Sequence, residues 1–260
     1  MPRHLTILTG ASRGMGLAMA QQLLQPDATL ITLSRGQNPA LDAQARQVGA
    51  VLEQWQVDLA EPQAAAQRLQ GWLAERGGET DGAHFASATL INNAGVISAL
   101  VPLQAADAAD LSRALRVGLE APMLLCAAFL SATGHWVAPR KILNVSSGLG
   151  RRAMASSASY CAAKAGMDHF TRCLALEEAG KPRGARVCSL APGVIDTAMQ
   201  VQLRGADPQH FADQAGFAAL HAKGQLTDPA EAARRLLAFL ARPDFGAEPV
   251  ADIRTAEARP

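Results

Sequence analysis

Tyr160 is the single tyrosine in 260 residues, and Lys164 stands four positions after it. On a helix that spacing puts both side chains on one face, a turn apart. A phenol titrates near 10, too high for a proton donor working around neutrality, and an adjacent ammonium favours the phenolate and brings that value down. Ser147, thirteen residues before Tyr160, adds a hydroxyl suited to holding a carbonyl oxygen while Tyr160 passes a proton to it. These three residues are the acid half of a ketone reduction. They carry no hydride, which a bound cofactor has to supply. A Tyr-x-x-x-Lys pair also occurs on helices where the ring merely packs and the amine is solvated, so its meaning depends on the rest of the chain.

The first forty residues supply a dinucleotide site. An apolar run at 4–9 leads into Gly10–Ala11–Ser12–Arg13–Gly14–Met15–Gly16, and helical apolar spacing follows over 17–24. Between a strand and a helix, such glycines permit a sharp turn and close backbone approach, and the helix N-terminus offers its free N–H groups to a pyrophosphate. The next strand, 28–33, ends in Ser34–Arg35–Gly36. In a dinucleotide fold an acid at that point binds the adenosine ribose 2′-hydroxyl, whereas an arginine accommodates a 2′-phosphate. Arg35 stands there and Arg13 lies inside the glycine turn. Two guanidinium groups are thus available to one phosphate, and NADP(H) is the expected cofactor.

Strands alternate with helices throughout. Further strands are expected at 52–57, 88–92, 141–146, 185–190 and 249–253, and helices at 39–48, 62–76, 157–179 and 229–241. The span 107–133 reads as one long helix kinked by Pro122, and 77–86 as a polar loop. The stretch 197–226, interrupted by Gly205, Pro208, Gly216 and Gly224, reads as helical pieces forming a substrate lid. The tail after 253 is polar. This alternation predicts an α/β chain, a single-domain Rossmann fold over 1–260 with a doubly wound parallel sheet of about seven strands flanked by helices. No internal repeat or linker divides it.

Composition narrows the setting. Twenty-four basic and 23 acidic residues nearly cancel, which gives no electrostatic reason for a nucleic-acid or membrane partner. The four cysteines are scattered without metal-ligand spacing, so no metal is expected, and a reducing cytoplasmic compartment is. No stretch reads as a signal peptide or as a membrane span.

Taken together, Thr9–Gly10–x–x–x–Gly14–x–Gly16, Asp58–Leu59, Asn92–Asn93–Ala94–Gly95, Ser147, Tyr160, Lys164 and Pro192–Gly193 resemble, in order and spacing, the short-chain dehydrogenase/reductase family. The resemblance covers nearly the whole chain. It implies that Ser147 polarises the substrate carbonyl, that Tyr160 is the acid in reduction, and that Lys164 lowers the phenol pKa and binds the nicotinamide ribose. It places Asp58 and Leu59 at the adenine, Asn93, Ala94 and Gly95 at the adenine ribose, and Pro192, Gly193, Val194, Ile195 and Thr197 over the nicotinamide. One departure stands out: Gly118 occupies a position where the family usually has an Asn that steadies a helix irregularity and a water of the proton relay. The segments 191–200, 222–226 and 251–253 resemble the branch holding sepiapterin reductases and bacterial benzil reductases. In that branch an Asp near the C-terminus anchors a pterin, and Asp252 aligns with it; a local cap or ion pair is the other reading of Asp252.

The expected activity is NADPH-dependent reduction of a small ketone or diketone. The same residues also suit an NAD(P)⁺-dependent secondary-alcohol dehydrogenase, and, with Gly118 as its sole support, a non-catalytic NADP(H) sensor. Leu149, Met154 and Met199, with Trp136, Leu203, Phe211, Phe217 and Leu220, suggest an apolar pocket for a flat or aromatic ketone. The family resemblance implies a homodimer or homotetramer paired through the long helix and the Tyr160 helix. Alanines at 127–128 and 162–163 would permit close approach there.

Overall fold

The computed structural model describes residues 3–77 and 82–256. Seven strands, β1 (Arg3–Thr9), β2 (Ala28–Ser34), β3 (Val51–Gln56), β4 (Phe85–Asn92), β5 (Arg140–Val145), β6 (Arg186–Ala191) and β7 (Val250–Asp252), form one parallel sheet in the order β3-β2-β1-β4-β5-β6-β7. The order reverses between β1 and β4, which opens a crevice at the carboxyl ends of the strands.

Side chains alternate across the sheet and feed two cores. Leu5 and Ile7 of β1 point to a layer built on α3 (Pro62–Gly77), α5 (Ala121–Thr133) and α6 (Ala158–Ala179). Leu8 points to the opposite layer, built on α1 (Gly14–Leu23), α2 (Pro39–Val48) and α9 (Pro229–Ala241). Local chemistry sets the ends of α2 and α9. Asn38 accepts from the Ala40 N–H and Asp228 from the Ala230 N–H, each followed by a proline whose missing N–H costs nothing in a first turn.

The long helix departs from expectation. It is α4 (Ala108–Leu115), a π-helical turn over Arg116–Glu120, and then α5. The Ala121 N–H reaches back to the Arg116 carbonyl, and Pro122 has no N–H to offer the Gly118 carbonyl four residues earlier. A widened turn thus replaces the kink. By length and apolarity alone Ala108–Thr133 would pass for a membrane span, contrary to the reading of the sequence; half of its most apolar window is buried against the protein's own core. Gly118 permits a close approach to α6, since a Cβ there would lie a tight 3.0 Å from the Ala163 Cβ.

Three further expectations are corrected. Trp136 is fully buried, stacked on Phe85 at 5.5 Å, and its ring leaves no room for a Cβ on Gly77 or Gly82; it belongs to the core and not to a substrate pocket. The polar loop at 77–86 is shorter than expected, because β4 already begins at Phe85; residues 78–81 lie outside the described residues. The tail contains a short helix, α10 (Ile253–Ala256), capped by Asp252, while 257–260 lie outside the described residues.

The stretch expected as a lid is α7 (Ala198–Arg204) and α8 (Gln214–Ala222) with turns between them. It is pinned beside the Tyr160 helix by Ser156, whose hydroxyl donates to the His210 carbonyl at 2.6 Å. Ser156 is the one described non-glycine residue with positive φ, at 58°, a strained conformation held by that contact.

Candidate active site

One cavity of about 1110 Å³ opens along the carboxyl ends of the strands. Ser147 lies two residues past β5 and caps a short 3₁₀ turn, Gly148–Gly150, with its hydroxyl accepting from the Leu149 N–H at 3.2 Å. Tyr160 lies in the first turn of α6 and Lys164 in the next, and all three residues line the cavity. Tyr160 and Lys164 are 8% and 3% exposed, so neither is a solvated surface group.

Burial dominates the electrostatics of this trio. It raises the Tyr160 phenol above its ordinary 10, a hydrogen bond with Ser147 opposes the rise, and the neighbouring Cys161 adds to it. Burial also brings Lys164 down to about 8, opposed by the Asp168 carboxylate one turn further along α6. The Lys164 amine donates to the Val145 carbonyl at 2.7 Å and lies 5.8 Å from the Tyr160 ring centroid. Burial, and not the Lys164 ammonium, thus sets the direction of the phenol's shift, while the amine is held on the backbone.

At the other end of the cavity, Gly10 and Gly14 adopt φ of 74° and 56° in the turn between β1 and α1. A Cβ on Gly16 would fall 2.0 Å from the Gly10 carbonyl oxygen, so only glycine fits. The Asn93 amide donates to the Thr9 carbonyl at 2.9 Å, while the Thr9 hydroxyl accepts from the N–H groups of Asn93 and Ala94. Asn93 thus holds the glycine turn in shape, a task its place in the sequence did not suggest. Unlike α2, α4 and α9, helix α1 has no side-chain cap and no acid in its first turn. Its N-terminal N–H groups face the cavity beside Arg13 and Arg35.

Comparison with known proteins decides what this arrangement is. Residues 4–208 match the family model for short chain dehydrogenase. The chain is a short-chain dehydrogenase. It is 32% identical to benzil reductase ((S)-benzoin forming) of Bacillus cereus, over 92% of this chain and 94% of the relative. It is 30% identical to sepiapterin reductase of Rattus norvegicus, over 92% of each chain. A metagenomic short-chain oxidoreductase crystallised in complex with NADP superposes with a TM-score of 0.70 at 25% identity, over 96% of this chain and 94% of that one.

As a short-chain dehydrogenase the chain is an oxidoreductase whose fold binds a nicotinamide cofactor. The cavity fits such a group: it is long, its glycine turn admits a close backbone approach, and an uncapped helix end awaits an anion. Gly10, Ser12, Arg13, Gly14, Met15, Gly16, Arg35, Asp58, Leu59, Asn93, Ala94 and Gly95 line it, as do Pro192, Gly193, Val194, Ile195 and Thr197. Of the four residues expected at the substrate, Leu149, Met199 and Asp252 line the cavity. Met154 does not; it packs with Leu100, Leu203 and Phe211 in a small core beside α7 and α8.

The Asp252 carboxylate is already engaged. Its oxygens accept from the Arg254 Nε at 2.9 Å and a terminal nitrogen at 2.7 Å, and Arg151 lies 3.6 Å away. It is a cap and an ion-pair partner in the cavity wall.

Several functional candidates escaped the sequence reading. Asp168 is 2% exposed, accepts from the Ser189 hydroxyl at 2.6 Å, and has Arg151 4.0 Å from its other oxygen. The Lys-x-x-x-Asp spacing was the available signal. Gln200, Arg113, Arg151, Arg152 and Arg254 also line the cavity. Arg151 and Arg152 directly follow the Ser147 turn, and Arg254 is two residues past Asp252.

Proposed function

We propose that the chain is an NADPH-dependent reductase of ketones or diketones of benzil-like or sepiapterin-like type. The observation that carries this reading is the shared cavity. Ser147, Tyr160 and Lys164 lie at one end, and the glycine turn with Arg13 and Arg35 at the other. The names of the relatives, benzil reductase and sepiapterin reductase, support a carbonyl substrate. Leu149, Met199, Leu203 and Phe217 give the substrate end an apolar wall for a ring.

When bound, the reduced nicotinamide supplies the hydride. Arg13, Arg35 and the N-terminus of α1 hold the cofactor's phosphates, Asp58 to Leu59 and Asn93 to Gly95 the adenosine, and Pro192 to Thr197 the nicotinamide half. The Ser147 hydroxyl donates to the substrate carbonyl oxygen. Tyr160 then passes its phenolic proton to that oxygen as charge develops on it. Lys164 keeps a positive charge beside the phenol and steadies the tyrosinate as the proton leaves. Gly118 keeps the main-chain carbonyl through which a relay water is held and loses the usual Asn side chain, while the widened turn persists.

Steady-state NADPH oxidation with benzil, sepiapterin and simple diketones tests the reading, with at least one of them turned over at a rate above that of simple alkanones. Because Lys164 loses its proton around 8, kcat/KM for reduction is expected to fall as the pH rises through about that value. Removing the opposing carboxylate in Asp168→Asn leaves burial unchecked, so the fall moves to lower pH. A panel with no turnover, or a profile unchanged in that variant, counts against these roles of Tyr160 and Lys164.

A homodimer through α4, α5 and α6 is supported by the exposed apolar side chains of Leu115, Met123 and Leu176. Ala127 and Ala162 face outward with them, while Ala128 and Ala163 are buried within the chain. Light scattering should return at least twice the 27.2 kDa chain mass, and a monomer would reject the pairing. Four cysteines without a disulfide support a reducing, cytoplasmic setting.

A further inference from the structure

The substrate end of the cavity has a polarity that the proposed activity does not require. Arg151, Arg152 and Arg254 line it, against the single carboxylate of Asp252. Asp168 lies behind the wall and takes up part of the Arg151 charge. Among the described residues the Arg152 guanidinium has no partner. The excess at this end is positive, although the chain as a whole carries a formal charge of only +1.

Arg254 is the best placed of the three. Its Nε and one terminal nitrogen are engaged side-on by the two oxygens of Asp252, which fixes the plane of the guanidinium. The same guanidinium sits against the Ser147 turn, where a Cβ on Gly148 would lie 3.9 Å from its nitrogen. A guanidinium has five N–H donors, and the side-on pairing uses two of them. The nitrogen near the Ser147 turn is the one paired with Asp252, and the other terminal nitrogen of Arg254 has no partner among the described residues. Asp252, with its oxygens occupied, offers little to a donor such as a pterin amine; through Arg254 it presents donors and positive charge instead.

We propose that Arg254, oriented by Asp252, forms with Arg152 a subsite for a carboxylate on the substrate, so that the enzyme's substrate class includes 2-oxo acids bearing an apolar or aromatic group. The inference rests on the reductase reading above and narrows it. The carbonyl lies on Ser147 and Tyr160, the carboxylate a bond away meets the end-on edge of Arg254, and the ring rests on Leu149, Met199, Leu203 and Phe217. A fixed fork costs little rotamer entropy when it binds a planar anion.

The test compares phenylglyoxylate with its methyl ester, which keeps the ketone and ring and removes the charge. Expected for the wild type is a kcat/KM for the acid at least tenfold above that for the ester, carried mainly by KM and reduced by added salt. In Arg254→Met the preference for the acid is lost, and in Arg254→Lys part of it returns. NADPH affinity, read by fluorescence titration, reports that the variants are folded. An ester reduced as well as the acid by the wild type, or a Met variant that slows both equally, overturns the carboxylate subsite and leaves the reductase standing. If neither compound nor any diketone oxidises NADPH, both readings fall. The wild-type comparison and its salt dependence decide the matter even if the Arg254 variants do not fold.

Discussion

Replacing Tyr160 with Phe should lower kcat for ketone reduction by about a thousandfold, within the 10²–10⁴ that a positioned general acid contributes. NADPH affinity should stay within about twofold. The substitution removes one oxygen and keeps a ring that is only 8% exposed, so packing around the site is preserved. Lys164 keeps its hydrogen bond to the Val145 carbonyl, because that contact does not involve the phenol. What disappears is the phenolic proton, whose release burial disfavours. With it goes the means of neutralising the oxygen as hydride arrives at carbon. Steady-state turnover with a diketone, alongside a fluorescence titration with NADPH, separates the two effects. Near wild-type kcat in the variant would take Tyr160 out of the reaction.

The residues of this reaction were legible because they are written in short-range code. The glycine turn follows a strand and opens a helix, and the structure puts it there. Helices α2 and α9 begin where Asn38–Pro39 and Asp228–Pro229 place them, since capping is decided within a turn of chain. The expected strands all pair, in one parallel sheet. What the sequence hid depends on contacts between distant segments. Gly118 in the π turn lies against Ala163 on another helix, and Trp136 is buried by Phe85 and two glycines far from it in sequence. The pairing of Asp252 with Arg254 lies within two residues, whereas Arg151, which also approaches it, comes from a loop about a hundred residues earlier. The surroundings of Lys164 were hidden for a related reason. Spacing places an amine beside a phenol but says nothing of the backbone carbonyl that captures it, or of the desolvation acting on both.

Cofactor choice provides the second large effect. The wild type should prefer NADPH to NADH by roughly 10- to 100-fold in Kd, and Arg35→Asp should invert that order. Arg13 and Arg35 are exposed, line the cavity, and among the described residues have no carboxylate partner. Six arginines and one lysine line this cavity against two aspartates, Asp58 and Asp252, in a chain that is nearly neutral. A 2′-phosphate would relieve that excess at the β2 end, with charge-assisted hydrogen bonds to both guanidinium groups. An aspartate at 35 would instead repel the phosphate and accept from a ribose 2′-hydroxyl, so affinity for NADPH should fall about a hundredfold while that for NADH improves. Arg13→Ala removes one of two donors and should cost NADPH about tenfold, with little change for NADH. Because these guanidinium groups are exposed, the wild-type preference should narrow as salt screens them. Equal affinity of the wild type for the two cofactors at low ionic strength would show that the arginines are solvated surface charges, and the phosphate clamp would have to be abandoned.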